Sequence, residues 1–184
     1  MADYKAKDFS LLPNQKAERK LLVTCVNVGD SITAAEGNPK WVPVGVGVED
    51  SAIELNPTSS KVTDILGITE SSVDKLEPAQ SLTPMTVRGG NPLLFKLNDI
   101  QERNALSEFS LFEVMIIKAY IDEGTAEAHA YHAEVHKNCT VIPQSIGGSA
   151  YVDMPVNIDF SNNKILGTVN AYKHDETITF TPNA

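Results

Sequence analysis

The stretch from Glu127 to His136 carries the side chains best suited to chemistry, because it holds three of the four histidines of the chain. On a helix, the imidazoles of His129, His132 and His136 would share one face, and three imidazoles can hold zinc. The flanking residues alternate as a strand does, however, and on a strand His129 points away from the other two. We therefore predict a solvated strand face without a metal site, on which Glu134 lies beside two of the histidines.

Other catalytic arrangements are not recognisable in the sequence. No Ser-His-Asp set comes with a nucleophile elbow. Gly45 and Gly47 lie inside an alternating strand pattern and lack the third glycine of a dinucleotide-binding loop. Cys25 lies in an apolar run without a basic neighbour that would activate its thiol. We therefore predict that the protein is not an enzyme and has no catalytic residue, no cofactor-binding residue, no metal ligand and no cofactor.

Composition sets further limits. The chain has 184 residues, 42 % hydrophobic and 21 % charged, which is typical of one globular domain. Its net charge of −9 disfavours binding to nucleic acid or to an anionic membrane surface, since both need clustered Lys and Arg. No apolar stretch is long enough for a membrane helix or placed as in a secretory signal, so no membrane anchor is expected. Cys25 and Cys139 are expected to be reduced core thiols.

Most of the chain alternates with the period of a β-strand. Strict alternation predicts three strands, namely Trp41–Glu49, Tyr151–Phe160 and Thr177–Thr181. Two nearly continuous apolar runs, Leu21–Val28 and Phe112–Ile121, suit strands that are covered on both faces. Ser161-Asn162-Asn163 predicts a hairpin turn, and His174-Asp175-Glu176 predicts another turn.

One segment departs from this pattern. Leu93, Leu97 and Ile100 recur at helical spacing behind Asn91 and Pro92, which supply an N-cap and a first-turn proline. We predict a helix over residues 92–104 that lies across one opening of the β-structure. The predicted fold class is mainly β, an antiparallel β-sandwich or partial barrel flanked by one α-helix.

Two segments do not fit a compact β-domain. Residues 1–20 hold five basic and three acidic residues, a charge of +2 that leaves −11 for the remaining 164 residues. This arm has too little apolar surface to fold alone; it can dock onto an acidic neighbouring copy, and a tail without function is the alternative. Residues 50–84 form a long polar excursion with one predicted strand, Lys61–Thr69, and such excursions usually serve binding or assembly. The predicted organisation is an arm at 1–20 and a single β domain at 21–184.

Four stretches, in this order and at this spacing, make the chain resemble the major tail proteins, or tail tube proteins, of long-tailed (siphovirus-type) bacteriophages and prophages. Together they run over residues 41–170. The stretches are Trp41–Gly45 with Glu49–Asn56, the Thr-Asp-Ile-Leu-Gly turn at 63–67, Asn91–Phe95 with Ile100–Arg103, and Val141–Gly148 with Asn163–Val169. The third corresponds to the single helix of the family.

The resemblance implies a structural virion protein with a β-sandwich fold and a flanking helix. Such subunits form hexameric rings, which stack into the hollow tail tube through which double-stranded DNA is ejected without specific binding. Residues 50–84 then correspond to the loop that stacks the rings, and the acidic body suits a lumen that repels phosphate. The implied partners are further copies of the chain, the tape measure protein, the tail terminator and baseplate or tail-tip proteins. The implied location is the phage tail, after synthesis in the bacterial host cytoplasm.

Three other hypotheses stay open at this point. A tube subunit of a contractile tail or of an injection particle has the same fold. A stand-alone β-sandwich module that binds carbohydrate or another virion protein would stay monomeric and would need an aromatic platform, for which Trp41 is the sole tryptophan. A metal hydrolase would need His129, His132 and His136 to converge.

Overall fold

The computed structural model describes residues 7–29, 40–48, 51–125 and 127–183. Within these ranges the chain forms eleven strands, one α-helix and two short 3₁₀ turns. The strands are β1 (Leu22–Asn27), β2 (Trp41–Pro43), β3 (Ile53–Glu54), β4 (Pro57–Thr63), β5 (Thr69–Leu76), β6 (Ala79–Leu82), β7 (Phe112–Asp122), β8 (Tyr131–Pro143), β9 (Val156–Asp159), β10 (Lys164–Val169) and β11 (Phe180–Pro182). The helix is α1 (Pro92–Glu102), and the 3₁₀ turns are Arg19–Leu21 and Leu106–Ser110.

Nine of the described strands form one curled antiparallel sheet. Seven of them follow the order β2-β1-β7-β8-β9-β6-β3, while β10 and β11 form a branch that joins at β8. The branch arises because β8 has thirteen residues, of which the first half pairs with β10 and the second half with β9. The result is a curled half-barrel, so the prediction of a mainly β partial barrel with one helix is confirmed. Strands β4 and β5 form a separate two-stranded sheet.

The main core lies between one side of the curled sheet and α1. The helix contributes Leu93, Leu97 and Ile100, each at most 1 % exposed. The sheet residues in the same cluster include Val26, Val114, Ile116, Val141, Val156 and Ile158. Burial of these apolar side chains holds the helix across the opening of the half-barrel.

A smaller core covers the opposite face of β1 and β7. It contains Cys25, Met115 and Ile117, and the chain between residues 171 and 180 packs over it through Ile178 and Tyr172. Both faces of these two strands are therefore buried, which explains their continuous apolar sequence. The strands predicted at 21–28 and 112–121 are confirmed, with bounds shifted by one residue.

The helix begins as predicted and ends earlier. The side chain of Asn91 accepts hydrogen bonds from the backbone N–H groups of Leu93 (3.1 Å) and Leu94 (3.2 Å), and Pro92 occupies the first turn. The helix ends at Glu102 rather than at Asn104, because Asn104 has a φ of +54° and therefore leaves the helical region.

The strand predicted at Trp41–Glu49 is too long. Strand β2 ends at Pro43, and the chain then turns through Gly45 and Gly47, whose φ angles are +100° and +84°. These left-handed conformations suit glycine and do not fit a strand. The last predicted residue, Glu49, lies outside the described residues.

The strand predicted at Tyr151–Phe160 is also shorter, because only Val156–Asp159 joins the sheet. Ahead of it, the backbone of Asp153 forms isolated bridges with Thr86 and Gly147 instead of a ladder. The alternating residues 151–155 therefore form a loop that is held by isolated β-bridges and not a strand of the sheet.

Three further expectations near the C-terminus have different outcomes. The last strand lies at Phe180–Pro182 rather than at 177–181, because the Asn170 side chain engages the backbone of Thr177 (3.1 Å) and Thr179 (2.7 Å). The hairpin predicted at 161–163 is wrong, since β9 and β10 both pair with β8 and not with each other. The turn predicted at residues 174–176 is confirmed.

Candidate functional site

The long excursion forms a hairpin made of β4 and β5. Its turn runs from Asp64 to Ile68, and the Asp64 carboxylate accepts hydrogen bonds from the N–H groups of Leu66 and Ile68, each at 2.8 Å. Asp64 also donates its own N–H to the carbonyl of Ile68 at 2.9 Å. The single strand predicted at Lys61–Thr69 is therefore wrong, because this Asp-anchored turn reverses the chain inside that range.

Every residue of both hairpin strands is exposed. At the turn, Ile65 and Leu66 are 102 % and 79 % exposed, and Ile68 beside them and Val62 and Val73 on the strands are more than half exposed. Cross-strand contacts such as the Thr63–Thr69 hydroxyl pair at 2.9 Å hold the shape of the hairpin but bury nothing. Exposed apolar side chains on an ordered projection are typical of a protein–protein contact. We call residues 64–68 the hairpin tip.

The three histidines do not converge. His132 and His136 lie on β8 and are 4 % and 5 % exposed, whereas His129 precedes that strand and its Nδ1 lies 2.5 Å from Oδ2 of Asp122. The predicted solvated face is therefore wrong: His132 and His136 are both buried, and the ring of His136 packs edge-on against that of Phe160, with centroids 5.3 Å apart. No group of three His, Cys, Asp or Glu side chains within the described ranges has the geometry to hold a metal ion.

Glu134 lies at the centre of a half-buried ion cluster. Its carboxylate is 3.2 Å from the ammonium of Lys118, 3.5 Å from that of Lys164 and 3.9 Å from Nε2 of His136. Burial opposes ionisation, but His136 and the two lysines outweigh it and hold the pKa of Glu134 at about 2. The carboxylate therefore stays ionised and stabilises the fold, and it is poorly suited to exchange a proton near neutral pH.

The cysteines behave as expected from the sequence. Cys25 and Cys139 are both free and buried. Burial raises the pKa of each thiol, so neither forms a reactive thiolate readily.

The rings of His129 and His132 lie against carboxylates, and Nδ1 of His136 lies 2.7 Å from the carbonyl of Ser161, so none of these three histidines is paired with a hydroxyl or a thiol. The α-helix in the described part of the chain is neither long nor apolar enough to cross a membrane. Sequence reasoning located the hairpin tip only in part: the resemblance named a turn at residues 63–67, but the residue pattern predicted one strand through it. Its signal was the Asp-Ile-Leu-Gly-Ile sequence at 64–68, in which an Asx turn is followed by glycine.

Comparisons with known proteins give weak likenesses in structure alone. No family model and no curated protein matches the chain. The anti-feeding prophage cap (AFP tube terminating cap) is 14 % identical, over 91 % of this chain and 99 % of that one, with a TM-score of 0.47. The PVC sheath/tube terminator of an extracellular contractile injection system is 12 % identical, over 83 % and 97 %, with a TM-score of 0.48.

A chain of the PVC sheath–tube complex is similar to the same degree, with 13 % identity over 85 % of this chain and 94 % of that one and a TM-score of 0.48. The three are components of tubes, sheaths and their ends. At these identities and TM-scores they neither establish a family nor assign a role to any residue of this chain.

Proposed function

We propose that this protein is a structural subunit that assembles with copies of itself into a phage-tail-like tube. The observation that carries the proposal is the β4–β5 hairpin, whose strands are exposed throughout and whose tip presents Ile65, Leu66 and Ile68 to solvent. An isolated two-stranded hairpin is only marginally stable in water. Burial of its exposed apolar side chains against a partner is favourable. A subunit of the next ring is such a partner.

Open strand edges support the same proposal. The path of the sheet ends at β2 and β3, and its branch ends at β11, so each of these strands has one side without a strand partner among the described residues. An open edge offers unpaired N–H and C=O groups to another chain. Pairing around a closed ring satisfies these groups, and a hexameric ring is the size that the resemblance implies.

The charge of the chain suits a conduit for DNA. A net charge of −9 gives an acidic ring, and acidic or hydroxyl side chains along a lumen repel phosphate, so DNA passes without being held. In this proposal the ends of the tube contact the tape measure protein, the terminator and the baseplate or tail-tip proteins. The protein is then located in the virion or particle, and it performs no catalysis.

Two positions in such a particle are open to this subunit. A tube subunit forms rings that stack on one another, whereas a tube terminator forms the last ring at one end, so that no further ring is added. The same choice applies to tail type, since contractile and non-contractile tails use the same subunit fold and differ by a surrounding sheath. A subunit of either kind uses the hairpin tip in a contact between copies or between rings.

Negative-stain electron microscopy of the concentrated protein tests the proposal. We expect hollow tubes for a tube subunit and separate rings for a terminator. Addition of a sheath protein encoded beside it distinguishes the tail types, because a contractile tube binds its sheath. Protein that stays monomeric at high concentration, both alone and with particles that lack this subunit, would contradict the proposal.

A further inference from the structure

The N-terminal arm contacts the end of β7 through one backbone hydrogen bond and through the side chains of Phe9 and Ser10. The N–H of Ser10 donates to the carbonyl of Tyr120 at 2.9 Å. The hydroxyl of Ser10 donates to the carbonyl of Asp122 at 3.1 Å and accepts the N–H of Asp122 at 2.8 Å. Beside them, the ring of Phe9 packs edge-on against Tyr120 with centroids 5.7 Å apart.

This position is open because β7 is longer than its neighbour. Strand β1 pairs with β7 only from Val114 to Lys118, where Leu22 is the last partner. Residues 119–122 of β7 extend beyond that pairing, and Ser10 occupies the edge that β1 leaves free. We call residues 119–123 the β7 edge.

Charge complementarity adds to the contact. The ammonium of Lys7 lies 2.6 Å from Oε2 of Glu123, and the other carboxylate oxygen of Glu123 is 3.4 Å from Nδ1 of the buried His132. A basic arm thus meets an acidic position that is fixed to the core of the sheet.

Besides these contacts, Arg19 at the end of the described part of the arm donates a hydrogen bond to the carbonyl of Ser51 at 2.7 Å. From residue 7 to residue 20 each side chain is exposed, except that of Leu11, which is half-buried. The ten residues between Ser10 and Leu21 can span up to roughly 33 Å when extended. The same hydrogen bonds and ion pair can therefore form with the β7 edge of an adjacent copy, and exchange of such a segment between identical chains costs little because no contact type is lost.

We propose that the β7 edge is a binding site for the arm of a second copy of this chain, so that assembled subunits exchange arms. The inference rests on the proposed function, since it requires neighbouring copies. It assigns the arm a different contact from that of the hairpin tip, because the two lie in different parts of the chain and share no residue.

Cross-linking between two variants, each with one introduced cysteine, tests the exchange. Phe9→Cys protein is mixed with Tyr120→Cys protein, assembled, and treated with a short bis-maleimide, to which the buried Cys25 and Cys139 do not respond. Exchange predicts a covalent dimer band in the assembled fraction at least tenfold stronger than in the dilute, unassembled mixture. Each variant alone is the matched control, because it contains only one member of the pair.

The double variant Phe9→Cys/Tyr120→Cys separates the outcomes. Assemblies in which it cross-links only within one chain would overturn arm exchange and leave the tube proposal intact. A mixture that forms no assemblies would contradict the tube proposal, and the absence of a dimer band at the same concentration would overturn exchange as well. If Tyr120→Cys fails to fold, the exposed pair Lys7→Cys and Glu123→Cys replaces it.

Discussion

Replacing the apolar hairpin tip with Ile65→Ser/Leu66→Ser is expected to abolish or strongly weaken assembly while the subunit stays folded. Burial of one such side chain contributes about 1.5–3 kcal/mol, so loss of two raises the critical concentration for assembly by at least about tenfold. Both side chains are exposed in the subunit, so its free energy of unfolding changes by no more than about 0.5 kcal/mol. Sedimentation across a concentration series measures the first quantity and urea unfolding the second.

A matched control comes from the loop around residues 146–152. Ile146→Ser/Val152→Ser removes two apolar side chains that are also exposed, at 53 % and 52 %, and that lie away from the hairpin. We expect this variant to assemble at a concentration close to that of the wild type. Tip and control variants that assemble equally well would show that the tip makes no contact in the particle.

Glu134→Gln is expected to destabilise the fold by about 2 kcal/mol at pH 7, because it removes the central anion from a cluster with Lys118, Lys164 and His136. Glutamine has the same shape, so little packing is lost. The pKa of the Glu134 carboxyl is about 2 in the folded chain, below its ordinary value of about 4.3 in an unfolded one. Its stabilising effect is therefore fully present above about pH 5 and is lost as the pH falls toward 2.

Urea unfolding of wild type and variant between pH 7 and pH 3 measures this effect. The difference in unfolding free energy is expected to be largest at neutral pH and to shrink as the solution is acidified. Glu54→Gln, at an exposed position of β3, is the control and is expected to leave the profile unchanged. A Glu134→Gln difference that stays constant from pH 7 to pH 3 would contradict the assigned ionisation.

Sequence periodicity is sufficient to predict an element when the whole element has one pattern of burial. Strands β1 and β7 are covered on both faces, so their apolar runs are unbroken and their positions were predicted within one residue. The helix was predicted from the spacing of Leu93, Leu97 and Ile100 and from the cap at Asn91, and these features act locally. In these elements the local conformational preference and the tertiary packing favour the same structure, so one sequence is enough to predict them.

Periodicity failed where single backbone angles or distant partners decide the structure. Alternation in residues 41–49 continues past Pro43, but the left-handed φ angles of Gly45 and Gly47 end the strand. Alternation cannot show that β8 pairs with both β9 and β10, which is why a hairpin was predicted at 161–163.

The histidine face illustrates the same limit for a candidate site. Polar residues at alternating positions of a strand predict a solvated face, yet His132, Glu134 and His136 are each no more than 9 % exposed. They are buried because β10 brings Lys164 and β7 brings Lys118 alongside, so that charge is paired rather than hydrated. Lys118 and Lys164 lie 16 and 30 positions from Glu134 in the sequence, so these pairings leave no local pattern.

Amide hydrogen exchange of residues 57–76 shows directly whether the hairpin tip is covered in the particle, when the free subunit is compared with the assembled one. If the hairpin tip is the contact between copies, exchange at residues 64–68 slows at least tenfold on assembly, while the buried strand β7 changes little. Particles in which these amides exchange as fast as in the free subunit would contradict the account, because the tip would then remain open to solvent in the assembled state.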